Sequence, residues 1–298
     1  MNKRFAKCLA VGLLAVVGTV SAVGGTPSVA ATVIEPTPAS GTQVEKNENC
    51  IIDYSNTANG YVNVKYLEST DKVIKAQVAK GSATYTYTIR KNDYEVLPLT
   101  EGNGTYKVTV LKNVSGNSYA QVLTATFDAT LTDEFQPYIR PNQYVDYTAS
   151  TKCVAKAESL CKGATSDLAK VKKVYKWVIG YFSYDYDKAR TVQAGYLPVL
   201  DDIYNKKKGI CFDYASTMTA MLRSQGVPVK LVIGYTGSEY HAWINVFSKK
   251  KGWITGAIYI AGNKWKLMDP TYASTGKSSK SIMKYINNTK NYKAQYSY

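Results

Sequence analysis

A chain of 298 residues with a formal net charge of +15 is long enough for two modest domains and carries a single histidine. If any imidazole works here as acid or base, it is that one. Basic balance is a common footprint of nucleic-acid binding, but no recognition motif accompanies it. The charge suits an anionic surface such as a wall polymer, an anionic lipid or an acidic substrate, or serves solubility alone.

Residues 1–31 read as a secretory signal. Lys3, Arg4 and Lys7 form the positive start, and Leu9 to about Val20 is an apolar core broken by Gly12 and Gly18. Small residues at Ala22 or Ala30-Ala31 offer cleavage sites. The rival is an uncleaved anchor, for which the run is short. Cys8 lies ahead of the apolar core, too early for lipid acylation. Export argues further against nucleic acid and predicts a secreted protein, associated with the cell wall if the charge binds wall polymers. No later run is long and apolar enough to span a membrane. Residues 32–50, rich in Pro, Thr, Ser, Glu and Asn, read as a linker.

From 51 to 135 the pattern turns to strands. Tyr61–Tyr66, Lys72–Val78, Ala83–Ile89, Gly104–Val110 and Ala120–Leu131 alternate, with Gly, Asn and Asp between them. Short strands at this spacing predict a small all-β sandwich, immunoglobulin-like in outline. It holds no catalytic constellation. It is either a spacer or packing partner, or a binder of substrate or wall through exposed tyrosines. Phe135 to Ser150, with Pro137 and Pro141, is the expected boundary, and residues 150–298 form the second domain.

A helix is expected from about Lys152 to Cys161. A second starts at a Thr165 or Ser166 N-cap, with Leu168, Val171, Tyr175, Val178 and Phe182 on its apolar face. Asp185 and Asp187 close it, a weak metal signal for want of a Gly-bounded loop.

The stretch that organises the chain begins at Gly209-Ile210-Cys211. Cys211, Ala215, Met218 and Leu222 recur at helical spacing, Gly209 permits a close approach at the helix start, and Gly226 and Pro228 end the helix. Unpaired amides and the positive end of the helix dipole then face the Cys211 sulfur and favour its thiolate. The bland alternative is a small buried hydrophobe. His241 sits in the alternating strand Tyr240–Val246, and Asp269 ends a strand, pushed from helical geometry by Pro270. Cysteine, histidine and aspartate follow about thirty residues apart, the order of a nucleophile, a general base and its orienting carboxylate.

These residues resemble the transglutaminase-like (transglutaminase/protease) superfamily of papain-like cysteine enzymes. Its pattern of Gly-x-Cys on a helix, His-Ala-Trp on a strand and Asp-Pro-Thr on the next is matched by Gly209–Cys211, His241–Trp243 and Asp269–Thr271. The resemblance covers roughly residues 165–298. It implies an α+β fold, with a nucleophile helix packed on an antiparallel sheet, and a Cys211, His241 and Asp269 triad; the sequence shows no acidic cluster to imply calcium activation, and no cofactor or metal is expected. The chain departs from the compact pattern at Trp253–Ile260, an aromatic insertion expected as a lid or groove wall. A short helix over 281–286 and a closing edge strand over 292–298 complete the reading.

The implied chemistry is acyl transfer on peptide or side-chain amides through a thioester. Hydrolysis, as a peptidase or wall-peptide amidase, is the preferred outcome, with a protein or peptide partner. The alternatives are a protein-glutamine transglutaminase, a non-catalytic wall-binding module, or a zinc site on the same three residues. Asn205 is a candidate second oxyanion donor or an ordinary turn residue. Lys206–Lys208 either supports the thiolate or is a solvated loop. Cys153 and Cys161 lie about 12 Å apart along one helix, beyond disulfide reach. Cys50 and Cys153 could staple the two domains, and Cys211 must stay free.

Overall fold

Alternation of buried and exposed side chains builds the N-terminal half of the computed structural model, which describes residues 33–90, 93–249, 252–255, 271, 274 and 289–298. Its strands are β1 (Val44–Lys46), β2 (Cys50–Asp53), β3 (Tyr61–Tyr66), β4 (Ile74–Lys80), β5 (Ala83–Thr88), β6 (Tyr94–Pro98), β7 (Gly104–Ser115) and β8 (Ser118–Ala129). They form two four-stranded antiparallel sheets, ordered β1-β2-β3-β6 and β5-β4-β7-β8. In β4, Ile74, Ala76 and Val78 point inward; in β5, Tyr85 and Tyr87 do so while Thr84, Thr86 and Thr88 point out, the period-2 rule of a sheet. Tyr54, just past β2, stacks on Phe127 of β8 at 4.8 Å and joins the two sheets.

The strand pattern misses β1, β2 and β6. β6 hides because its Glu95 is a buried charge, 1% exposed, held by an ion pair with Arg90; a charge inside a strand reads as a solvent-facing position.

The connection after β8 runs along the open edge of β5. Gln143 accepts from the Thr88 amide (3.3 Å) and donates to its carbonyl (2.5 Å), and the Tyr144 hydroxyl donates to the Thr86 carbonyl at 3.2 Å. Side chains thus take the bonds a further strand would make.

The helices follow: α1 (Lys152–Cys161), α2 (Asp167–Tyr181), a short strand β9 (Ser183–Tyr184), α3 (Tyr186–Thr191) and α4 (Leu200–Lys206). Ser166 is the N-cap of α2, its side chain accepting from the Ala169 amide at 3.3 Å, and Val171, Val174, Tyr175 and Val178 are buried. β10 (Lys208–Gly209) pairs with β9 in parallel and leads into α5 (Cys211–Arg223). β11 (Val229–Thr236), β12 (Glu239–Ser248), β13 (Gly252–Thr255) and β14 (Tyr292–Ser297) form an antiparallel sheet ordered β13-β12-β11-β14. β14 is the expected closing edge strand.

Every residue of α5 from Asp213 to Arg223 is buried. α5 packs on β11 and β12 with one flank and on α1, α2 and α4 with others. One hydrophobic core runs from the N-terminal sheets through these helices into the last sheet. Tyr298 ties them together: its ring packs edge-on against Tyr85 and Tyr87 of β5 and stacks on Tyr144 at 4.1 Å. Among the described residues no helix is long and apolar enough to cross a membrane. Residues 1–31, Asp269, the 256–260 part of the insertion and the 281–286 helix lie outside the described residues.

Candidate active site

The start of α5 is built by a contact that only glycine allows. A Cβ on Gly209 would stand 2.6 Å from Asp213 Cβ. Asp213, third residue of the helix, accepts from the Ile210 amide at 2.9 Å, so one carboxylate satisfies an otherwise orphaned N-terminal donor. Ile210 is the N-cap in extended conformation, and Cys211 is the first helical residue. Its side chain and that of Phe212 are half-buried, while the helix from Asp213 to Arg223 is closed to solvent.

His241 lies on β12 opposite Gly234 of β11 and is 6% exposed. Cys211 and His241 line one cavity of about 630 Å³. Its walls come from across the chain. Thr86 and Thr88 arrive from the edge of β5, Gln143 and Tyr144 from the connection, and Tyr184 from β9. The segment from Ala189 to Leu197 contributes on one side, and Tyr240, Tyr296 and Tyr298 on another. The described lining is rich in tyrosine and holds no Lys, Arg, Asp or Glu. Tyr184, which carries no signal in the sequence, is a wall residue of the cavity that Cys211 also lines. Its phenol is pushed up to about 12, first by burial and then by Cys211 and Glu239, so it stands protonated as a neutral hydrogen-bond donor.

Asp269 lies outside the described residues. Nearby in sequence, Thr271 is buried, and Ser274 Oγ lies 2.9 Å from the Tyr214 hydroxyl on α5 and donates to the Phe182 carbonyl at 3.2 Å. Trp243 is buried with Val232 and Tyr292, its ring 6.3 Å from that of His241. It packs against them.

Several expectations change on the tertiary structure. Asn205 is no oxyanion donor: it lies exposed on α4, outside the cavity lining, and accepts from Lys152 Nζ at 2.7 Å. Lys206, Lys207 and Lys208 are exposed and do not line the cavity; Lys206 faces Asp202 and Lys207 lies over the Tyr181 ring. Trp253 turns away from the cavity to pack among Phe135, Tyr138 and Phe247, so the described part of the insertion is no lid. Asp185 caps α3 and Asp187 pairs with Arg190, structural roles for both. Cys50 and Cys153 are unbridged buried thiols, each pushed up to about 12 by burial and, less, by Glu68 and Asp201 respectively. Burial also raises Cys161. Buried neutral thiols are inert, and Cys211 differs from all three in reaching the cavity.

Residues 154–256 match the model of the transglutaminase-like superfamily. Over 86 residues the chain is 28% identical to a protein-glutamine gamma-glutamyltransferase of Pseudomonas aeruginosa, covering 24% of this chain and 11% of that protein. Over 116 residues it is 29% identical to the kyphoscoliosis peptidase of Mus musculus, covering 39% of this chain and 17% of that protein. The chain therefore spans less than a fifth of these relatives' own length. Among solved structures, a putative cysteine protease from Cytophaga hutchinsonii aligns with a TM-score of 0.36 at 16% identity, over 77% of this chain and 68% of that one.

Proposed function

We propose, from the premise that residues 154–256 belong to the transglutaminase-like superfamily, that this chain is an exported cysteine acyl-transfer enzyme. Cys211 is its nucleophile, His241 its general base and Asp269 the carboxylate that orients the imidazole. The observation that carries the reading is that a thiol at the first residue of a buried helix and the chain's one histidine open into the same cavity.

His241 takes the Cys211 proton, and the thiolate attacks an amide carbonyl. First-turn amides of α5 face the developing oxyanion. The amine leaves with the proton returned by His241, and a thioester remains on Cys211. Water then releases an acid, or a second amine takes the acyl group. Hydrolysis of a peptide or wall-peptide amide is the preferred reading. The transferase alternative has support in the resemblance to a protein-glutamine gamma-glutamyltransferase, as hydrolysis has in the resemblance to a peptidase. Residues 1–31 read as the export signal, the N-terminal sheets as an immunoglobulin-like sandwich over 51–135, and the basic charge as attraction to anionic wall polymer.

The test is alkylation of Cys211 by a thiol reagent across pH, wild type beside His241→Ala. Fast labelling near about pH 6 that collapses in the variant is the expected result. An ordinary thiol profile in both proteins overturns the reading and favours a binding module. Incubating the active protein with peptide amides, with and without a primary amine, then separates hydrolysis from transfer by product mass.

A further inference from the structure

We infer that Lys188 is a positioning residue for Cys211, balancing the buried Asp213 carboxylate beside the nucleophile, with Tyr196 completing the network; this rests on the acyl-transfer reading above. Asp213 is 0% exposed and stands two residues from Cys211 on the same turn of α5. Its Oδ2 accepts from Lys188 Nζ at 2.6 Å and from the Ile210 amide at 2.9 Å. Its Oδ1 accepts from the Tyr196 hydroxyl at 2.6 Å. Lys188 Nζ lies 2.6 Å from that same hydroxyl and 4.1 Å from the Tyr196 ring centroid. Three donors from three parts of the chain thus converge on one carboxylate.

A carboxylate taken wholly out of water is costly unless paired and hydrogen-bonded. As N3 of α5, Asp213 holds the Ile210 amide, and its carboxylate, in ion-pair contact with Lys188, complements the helix dipole. The same anion, left unbalanced, opposes a second negative charge on Cys211 one half-turn away. Lys188 removes that opposition without displacing Asp213 from the Ile210 amide. Tyr196 stays a donor: burial first, then its bond to Asp213, holds its phenol far above the usual range.

Other titratable groups face this region without taking that place. Tyr184 on β9 feels both Cys211 and Asp213, with Tyr186 and Glu239 near it. Tyr240 and His241 come from β12, and Asp202 of α4 acts on Tyr196. Lys188 is the cation in ion-pair contact with Asp213 among the described residues. The network also ties the cavity wall to the nucleophile: Lys188 on α3 and Tyr196 bracket the segment through Ala189, Val192 and Gly195 that lines it.

The experiment measures the rate at which iodoacetamide, an uncharged reagent, alkylates Cys211 in the full chain from about pH 5.5 to about pH 9, read at that peptide by mass spectrometry. Lys188→Met is expected to slow labelling roughly tenfold at about pH 6.5, equivalent to one pKa unit, and to converge on wild type at high pH. Lys188→Arg keeps the charge and should recover most of the rate. The double variant Lys188→Met with Asp213→Asn removes both charges and should return to within about threefold of wild type. A merely structural role predicts a double variant at least as slow as Lys188→Met, at every pH. Wild-type rates in Lys188→Met, or no recovery in the double variant, overturn the inference. Melting curves confirm folding; if Lys188→Met does not fold, Lys188→Gln beside Lys188→Arg decides it, equal rates overturning and a slower Gln variant supporting. His241→Ala separates the two claims. If wild type labels as an ordinary thiol and His241→Ala changes nothing, the acyl-transfer reading and this inference fall together. If labelling is fast and depends on His241 but not on Lys188, this inference alone falls.

Discussion

Gly209 and Asp213 meet so closely across the start of α5 that a methyl group on Gly209 would stand 2.6 Å from Asp213 Cβ and 3.0 Å from its Oδ2. The contact is with a side chain that is itself pinned by three hydrogen bonds, so it cannot swing aside. Gly209→Ala is therefore expected to displace the first turn of α5, at a cost of about 1–3 kcal/mol, and to slow alkylation of Cys211. Thermal melting and labelling rate check both. A variant that melts and labels like wild type removes the steric argument.

The four described cysteines should separate cleanly under labelling. Cys211 reaches the cavity, while Cys50, Cys153 and Cys161 are buried and their thiols are raised by desolvation. In the native protein a thiol reagent is expected to modify Cys211 first, and the other three only with unfolding. Peptide mapping before and after denaturant tests this. Early labelling of Cys153 would show that α1 opens far more readily than its packing implies.

Alkaline pH should unfold the chain cooperatively. Cys50, Cys153, Tyr85 and Tyr184 are each pushed up to about 12, burial being the largest cause, and Tyr87 is raised well beyond the usual range by burial and neighbouring tyrosines. These groups have folded-state values above their unfolded ones. Their contribution is whole below about pH 9 and is lost as pH rises towards about 12. The melting temperature is expected to fall by roughly 10 °C or more between about pH 9 and pH 11. Tyrosinate absorbance should appear in the same transition. Gradual titration near pH 10 with an unchanged melting temperature would contradict it.

Arg223 is a buried guanidinium, 1% exposed, satisfied by backbone carbonyls. It donates to Val229 O at 3.1 and 2.7 Å, to Arg140 O at 2.6 Å and to Tyr298 O at 2.8 Å. A planar fork reaches all three, and an ammonium does not. Arg223→Lys is expected to cost about 2–4 kcal/mol by leaving buried carbonyls unpaired. Denaturant titration measures it, and a loss below about 0.5 kcal/mol would show that the carbonyls find other partners.

The N-terminal sheets should be needed for the site to form. Tyr298 packs on Tyr85 and Tyr87, and β5 supplies Thr86 and Thr88 to the cavity. A chain beginning at residue 150 exposes that tyrosine face and loses one wall. It is expected to melt at lower temperature than the full chain or to aggregate. Unchanged melting and labelling of Cys211 would make the sheets a mere spacer.

Where signals were local, sequence reading reached the structure. The bounds of α5, the Ser166 cap of α2, the His241 strand and the edge strand at 292 follow from caps, breakers and periodicity within a few residues of each other. It failed where a side chain's role depends on a distant partner. Asn205 precedes Cys211 by six residues, yet α4 carries it to Lys152 instead. The β6 strand was hidden for another reason, the burial of the charged Glu95, which pairs with Arg90 five residues earlier.

By itself, the sequence determined that one cysteine begins a buried helix, that one histidine lies on a strand, and that an aspartate follows before a proline, because glycine, proline and apolar spacing act over a few residues. Only the tertiary structure decided that β5, some 125 residues before Cys211 in the chain, forms a wall of its cavity. It alone decided that Lys188 pairs with Asp213. Both are contacts between residues far apart in sequence, created by packing one continuous core. No local propensity encodes them.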